Sequence, residues 1–472
     1  MVQKDKVILV YPALSPTGQG HRGAPLSSLA VGSHLAAHGF RVKIVDLRVD
    51  THEDLEFGPD VAYVGISAMT GYQIMSALDV CKVYRAKAPG IPLVWGGWHA
   101  SLLPEETMRH PLVDIVVTGQ GELTALELAC AIRDGASLEG VAGILYKRGR
   151  DTVKTAERPL AGMDVITPIN YDLVRMDQHF IHDPTTGVKM ISYLASRGCP
   201  YRCGFCAITT VYNKRFFNVP VPQVLDELTG LVKRYGVNGI YFEDDNLFIN
   251  KQRTTDVLQG MLDRKLNVRW TGLARADRII KFEPALLKLM RDSGCIRILI
   301  GAESGSQEML DLMDKDVDLE ETIRSAQMLD DSGIEGDLSF MVGLPDPHEW
   351  EVTLDFIMML RKRLKHMHIK LFFYTPYPGG RLYEIAIERG FVPPADLEAW
   401  ARFELHKVST PWVTKEMERH VNLFRFYFRY GYPNRAVKGL KAALAGLSRW
   451  RLDNKAFALP VEYNLYRTLG KA

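Results

Sequence analysis

The sequence predicts an α/β protein built as two successive units. An N-terminal doubly wound parallel sheet is followed by a partial (β/α)6 barrel of the TIM type, and a helical extension closes the chain. Three observations carry this. Short apolar runs alternate with amphipathic stretches from the first residues onward, the pattern of repeated strand–helix–strand units. The alternation occurs twice, six strands each time, on either side of a polar, proline-bearing stretch. A chain of 472 residues also exceeds what one ordinary hydrophobic core organises, so at least two domains are expected.

In the first unit, residues 1–150, the predicted strands are 7–12, 41–46, 61–68, 91–97, 113–119 and 142–148. Helical periodicity fills stretches such as 25–39 and 71–88. A sheet of this kind binds ligands beyond the carboxyl ends of its strands. That directs attention to Tyr11 after the first strand, to Ser67, Met69 and Thr70 after the third, and to Gly96, Gly97, Trp98 and His99 after the fourth. Gly119, Gln120 and Gly121 follow the fifth. Glycines there let a backbone approach a bulky ligand where side chains would obstruct it. Gly18, Gly20 and Gly23 spell G-x-G-x-x-G with Asp46 ending the next strand, yet Pro12 and Pro16 intervene between strand and glycines. A dinucleotide turn needs its first glycine at the strand end, so this is read as a decoy.

Residues 151–189, with Pro159, Pro168 and Pro184, read as a linker. The barrel, 190–390, has predicted strands at 190–198, 239–246, 268–276, 296–305, 336–345 and 367–380, which places an active site at their C-terminal ends. The last part, 391–472, turns basic: from 401 onward it holds 14 Lys and Arg against 5 Asp and Glu, with aromatics interleaved. Two readings stay open, a helical cap over the barrel and a basic amphipathic surface that lies in lipid headgroups. No nucleic-acid module accompanies the charge.

Overall, 47% hydrophobic and 24% charged residues and a net charge of +2 describe a soluble globular chain. There is no run of eighteen apolar residues and no leader-like start, so a cytoplasmic protein is expected.

The chemistry concentrates in SRGCPYRCGFCAI. Cys199, Cys203 and Cys206 form C-x3-C-x2-C, three of six cysteines within eight positions. One loop can wrap such thiolates around an iron–sulfur cluster, which usually takes four, so one iron would keep an open position. A zinc site completed by a histidine such as His182, or free thiols, remain alternatives. Cys81, Cys130 and Cys295 fall in apolar patterns and read as packed hydrophobes.

C-x3-C-x-φ-C, with Phe205 as the aromatic, at the end of the first strand of a partial barrel resembles the radical S-adenosylmethionine (radical SAM) superfamily. The resemblance implies a [4Fe-4S] cluster on Cys199, Cys203 and Cys206, with Phe205 shielding it. S-adenosylmethionine would chelate the open iron and be cleaved to a 5'-deoxyadenosyl radical. IYFEDDN resembles the segment whose acid meets the methionine amino group, which nominates Glu243 and Asp244, with Asp245 beside them. WTGLARAD and RILIGAESGS are similar to segments that contribute cofactor contacts, here Arg275 and Glu303. The bland alternatives are a solvated strand end for the acids and an Arg275–Glu303 ion pair inside the barrel. At 378–380 the usual Pro-Gly-Thr is Pro378-Gly379-Gly380, so the threonine of that turn is missing here.

The preceding sheet makes the chain resemble the cobalamin-binding branch of that superfamily. The D-x-H-x-x-G motif is missing, so the resemblance implies either no protein ligand to the cobalt, as in many members of the branch, or a loop histidine such as His21 or His99. The resemblance implies a methyltransferase acting on an unactivated carbon of a small-molecule, lipid or tetrapyrrole intermediate, supplied with electrons by a flavodoxin or ferredoxin. An oxidative cyclase, hydroxylase or rearrangement enzyme, as in the anaerobic magnesium-porphyrin ester branch, is the second reading, and a zinc-stabilised binding protein the third. A lipid-like substrate would fit a peripheral contact with the inner membrane face.

Overall fold

The computed structural model describes residues 2–17, 23–183, 185–403, 408, 410–433 and 437–468. Its first sheet comprises β1 (Lys6–Tyr11), β2 (Arg41–Asp46), β3 (Val61–Ser67), β4 (Leu93–Gly96), β5 (Ile115–Val117), β6 (Ile144–Arg148) and β7 (Asp151–Lys154), in the order β2-β1-β3-β4-β5-β6-β7. Strands β1 to β5 are parallel, and runs such as Val7–Val10 and Val61–Ile66 are buried on both faces, as helices on either side of a parallel sheet require. Strand order reverses between β1 and β3, so a crevice opens beyond Tyr11 and Ser67.

One expectation fails here. The 142–148 strand was expected parallel, but β6 runs antiparallel to β5 and turns straight into β7 through Gly149, whose φ of +64° suits a two-residue hairpin. Residues 151–189, read as a linker, therefore contribute β7 to this sheet. They also contribute a strand to the next one.

The second sheet starts with β8 (Ile181–His182) and β9 (Lys189–Tyr193). A small antiparallel ribbon, β10 (Ser196–Gly198) and β11 (Phe216–Asn218), follows it. The sheet resumes with β12 (Gly239–Phe242), β13 (Arg269–Ala274), β14 (Cys295–Glu303), β15 (Glu335–Val342) and β16 (Met367–Phe373). Its order, β16-β15-β14-β13-β12-β9-β8, follows the chain without reversal, and six of the seven strands are parallel. Successive crossovers of one hand wrap the helices on one side and curl the sheet into a half-barrel. Its concave side is covered from the C-terminus: the helix Lys415–Gly431 buries Phe424, Phe426, Tyr427 and Phe428, and sets Arg425 4.7 Å above the Phe373 ring.

The turn leaving β15 is held by a carboxyl. Glu349 is buried and accepts hydrogen bonds from the backbone N–H groups of Gly343 and Leu344, 2.5 and 3.0 Å away. Burial raises its pKa to about 8, against the opposing pull of those two donors. The folded value lies above the ordinary one near 4.5. The stability this group contributes is therefore complete below that value and is lost as pH rises toward about 8. Glu349→Gln keeps an acceptor for both N–H groups and removes the titration. Melting temperature measured from about pH 5 to about pH 8 is expected to vary less in this variant than in wild type; an equal or steeper slope would refute the assignment.

Candidate active site

The cysteine loop leaves the C-terminal end of β9 and is gripped from both sides. At the end of β12, Asp244 accepts hydrogen bonds from the Ala195 N–H at 3.1 Å and from the Ser196 hydroxyl, and Asp245 accepts one from the Gly198 N–H at 2.8 Å. Arg253 completes the anchor by donating to the carbonyls of Ala195 and Val219, 2.7 and 2.9 Å away. Burial pushes both aspartates up to about 6. On the far side, the Gly204 N–H donates to Met313 O at 2.7 Å, Leu382 N–H donates to Gly204 O at 2.9 Å, and the Thr210 hydroxyl donates to Gly379 O at 2.5 Å. A Cβ on Gly380 would collide with the Gly204 carbonyl oxygen. This explains the departure from Pro-Gly-Thr: the cysteine loop lies so close to this turn that no side chain fits.

Burial raises the Cys199 thiol and brings Cys206 to about 12, so iron ligation must release their protons. Cys203 is also buried, and Arg275 donates to its sulfur from 3.2 Å. Arg275 is itself immobilised. It donates to Asp277 at 2.8 Å and to Lys315 O at 2.5 Å, and its guanidinium lies 3.6 Å from the centre of the Tyr201 ring. His182 pairs with Lys189 at the start of β9, the opposite end from the cysteines, and so does not complete a zinc site. Among the described residues, no three His, Cys, Asp or Glu side chains are arranged to hold a single metal ion. The three soft thiolate donors on one short loop suit an iron–sulfur cluster.

The remaining strand-end residues divide. Glu243 accepts a hydrogen bond from the Ser192 hydroxyl at 2.9 Å and faces two cavities. Asp244, expected to contact a cofactor, is only 2% exposed and is spent on the loop. Glu303 follows a register shift in β14 and adopts φ +65°, rare for a residue with a side chain. Its partner is Lys315, at 2.9 Å, not Arg275, so the alternative of an Arg275–Glu303 ion pair gives way to two separate pairs. The Lys315 ammonium lies 5.6 Å from the centre of the Phe205 ring. Lys315 was invisible in the sequence, where it sits in an ordinary polar turn.

A cleft of about 430 Å³ opens at the crevice of the first sheet. Tyr11, Ser67, Met69, Gly96, Gly97, Trp98, Gly119, Gln120 and Gly121 all line it. It deepens into a slot between the sheet, at Leu9, Gly65 and Val94, and the small or branched residues Ala30, Val31 and Ala125 of two flanking helices. Gly119, at φ +70°, has open space where a Cβ would stand, and Gly97, at φ +89°, abuts the Ala68 backbone. A flat macrocycle at the mouth with a tail in the slot fits this shape. Thr70 and His99 are not part of the lining: His99 is 1% exposed, bonded to the Thr70 hydroxyl at 2.9 Å and set edge-on to Trp400, and burial brings its pKa to about 4. No histidine lines the cleft among the described residues, and His21 lies outside them, as do Gly18 and Gly20. Asp46 is occupied by Arg48 and does not stand free for a ribose.

Barrel residues close the same cleft, namely Leu194, Arg197, Val211, Tyr212, Glu243 and Asp245. Arg197 forms a buried ion pair with Glu122 of the first unit. A second cavity of about 1070 Å³ fills the half-barrel between the strands and the helix Lys415–Gly431, and it meets the first at Glu243.

Comparison with known proteins agrees with this arrangement. Residues 193–357 match the Radical SAM superfamily and residues 20–129 the B12 binding domain. The chain is 33% identical over 396 residues to an uncharacterized methyltransferase of Pyrococcus horikoshii, covering 81% of this chain and 83% of that one. It is 29% identical over 333 residues to the anaerobic magnesium-protoporphyrin IX monomethyl ester cyclase of Rubrivivax gelatinosus, covering 69% and 58%. The fold is that of the radical S-adenosylmethionine methyltransferase TsrM from Kitasatospora setae, solved with cobalamin and a [4Fe-4S] cluster. That superposition has a TM-score of 0.68 at 18% identity and covers 95% of this chain and 89% of that one.

The packing at Gly380 is directly testable. Gly380→Thr, which restores the usual residue, is expected to cost about 1–3 kcal/mol of stability by overpacking and to lower the iron retained per chain after anaerobic reconstitution. A variant that keeps wild-type iron and melting temperature would show that the contact is not tight.

Proposed function

Because the chain belongs to the radical SAM superfamily, in the group that carries a B12 binding domain, we propose that this enzyme is a cobalamin-dependent methyltransferase acting on an unactivated carbon of a small molecule. The observation that carries the reading is the shared position of Glu243. It stands where the cleft suited to a corrin meets the cavity of the barrel, beside the cysteine loop. When bound, the [4Fe-4S] cluster supplies the electron that cleaves S-adenosylmethionine, and cobalamin supplies a methyl carrier.

The chain's own residues have separate tasks in this reading. Cys199, Cys203 and Cys206 hold the cluster, and Arg275 offsets the thiolate charge at Cys203. Glu243 accepts the methionine ammonium, and Phe205 excludes water from the cluster. The Glu303–Lys315 pair presents fixed charge beside Phe205 to the rest of the cofactor. Glycines 96, 97, 119 and 121 admit the corrin, with Trp98 and Tyr212, whose ring centroids are 6.3 Å apart, along the domain boundary. The functional units are residues 1–150 for cobalamin, 190–390 for radical chemistry and 391–472 for covering the barrel. Electrons come from an external flavodoxin or ferredoxin. The similarity to the ester cyclase supports an oxidative cyclisation as the second reading, and the two differ in whether a methyl group reaches the product.

The C-terminal region also supports a cytoplasmic enzyme that touches a membrane surface. Leu440, Trp450, Leu459, Val461 and Leu465 are exposed, and the same segment carries the exposed Lys438 and Lys441. No helix among the described residues is long and apolar enough to cross a membrane.

Two experiments test these statements. Anaerobically reconstituted enzyme given methyl-labelled S-adenosylmethionine and cobalamin is expected to form 5'-deoxyadenosine and a labelled product. Cys203→Ala should form neither, and Gly119→Leu should keep its iron but lose bound cobalamin, read from their separate absorption bands. Persistence of 5'-deoxyadenosine in Cys203→Ala sinks the assignment. Sedimentation with vesicles of phosphatidylserine and phosphatidylcholine is expected to carry down the wild type, and to carry down much less of a Trp450→Ser, Leu459→Ser double variant; equal sedimentation overturns the surface contact.

A further inference from the structure

The charges around the barrel cavity are distributed unequally between its two walls. On the strand side each cation has its carboxylate. Arg297 donates to Asp183 at 2.8 Å and to Glu335 at 2.6 Å, and Lys370 lies 3.1 Å from Asp337. The opposite wall is built by the C-terminal segment and presents Arg425, Arg429 and Lys441 to the same space. None of these three pairs with a carboxylate among the described residues.

Arg425 is the most informative of them. Its Nη1 donates to Asn422 at 3.2 Å, while Nε and Nη2 are buried without any partner, and the guanidinium lies against the Phe373 ring. Burial lowers its pKa to about 10, with no neighbouring acid to oppose the shift. Shielding two of a guanidinium's nitrogens from water with no counter-ion is costly, and an anionic ligand would supply the missing charge. Arg429 and Lys441 stand exposed at the cavity and add attraction for the same sign of charge.

We propose that the barrel cavity selects a substrate bearing an oxyanion, a carboxylate or a phosphate, and that Arg425 is the residue that neutralises it. The inference rests on the reading of the barrel as the seat of the reaction. It adds the chemical class of the substrate and assigns the C-terminal helix the task of recognising it. Arg429 and Lys441 guide the anion inward, and Arg425 offers the planar fork suited to either oxyanion.

The test uses reconstituted holoenzyme with inorganic pyrophosphate and succinate as phosphate and carboxylate probes. Calorimetric titration is run on wild type, Arg425→Gln, Arg425→Lys and Lys455→Gln, the last removing one exposed charge outside the cavity. Wild type is expected to bind one of the two probes saturably, and which one it binds identifies the oxyanion. Arg425→Gln should bind that probe at least tenfold more weakly, Arg425→Lys should recover part of the loss, and Lys455→Gln should match wild type. Binding of neither probe, undiminished binding in Arg425→Gln, or an equal loss in Lys455→Gln would overturn the proposal. Labelled methyl transfer to cobalamin is followed in the same wild-type sample. Its absence there would count against the methyltransferase reading alone, since the titration does not depend on turnover.

Discussion

The loop that carries three thiols depends on two carboxylates that the fold holds at a cost. Asp244 and Asp245 sit at the end of β12 in surroundings that disfavour their charge, and what keeps them there is a dense set of donors. Ala195, Ser196 and Gly198 supply hydrogens directly, and Arg253 ties the same backbone from the other side. Residues 194–198 thereby acquire one path. That path sends the chain into the β10–β11 ribbon, aims Arg197 at the first unit, and delivers Cys199 to the mouth of the barrel. Replacing those donors with water would leave the loop free to take many paths.

The two units are joined at the same place. Arg197 and Glu122 form a buried pair across the boundary, and breaking such a pair from one side typically costs about 3–5 kcal/mol because the remaining charge is stranded. The helix Ala207–Val211 begins at Cys206 and ends where Val211 and Tyr212 enter the cleft of the first unit. A displacement of the cysteine loop is therefore also a displacement of the cleft wall. The mechanical link is short: it runs from Cys206 through one short helix to Tyr212, which faces the cleft of the first unit.

Much of this architecture was legible. Strands buried on both faces leave unbroken apolar runs, so all twelve such runs in the sequence contain strands of the two sheets. The antiparallel hairpin at the edge was not legible, because β6 has the same apolar run whichever way it points. The glycine loops pointed to the cleft of the first sheet, which most of them line. His99 misled because loop position says nothing of direction, and a packed Trp400 far along the chain decides it. Lys315 and Arg425 were hidden for a related reason. A lysine in a polar turn and an arginine on an amphipathic helix look solvated until the tertiary fold encloses them.

The cavity of the barrel has walls of different origin. One is made of strands whose ends also hold the cysteine loop and Glu243; the other is the C-terminal segment, chiefly the helix Lys415–Gly431 with Lys441 beyond it, joined to the barrel by packing. The first wall also carries the cysteine loop, whereas the second holds none of the three thiols. A protein divided in this way can exchange one small molecule for another by rewriting a few turns of helix while its reaction stays intact. The tail of the chain is thus the part from which new specificities can be drawn, in nature or by design, at the least risk to the chemistry.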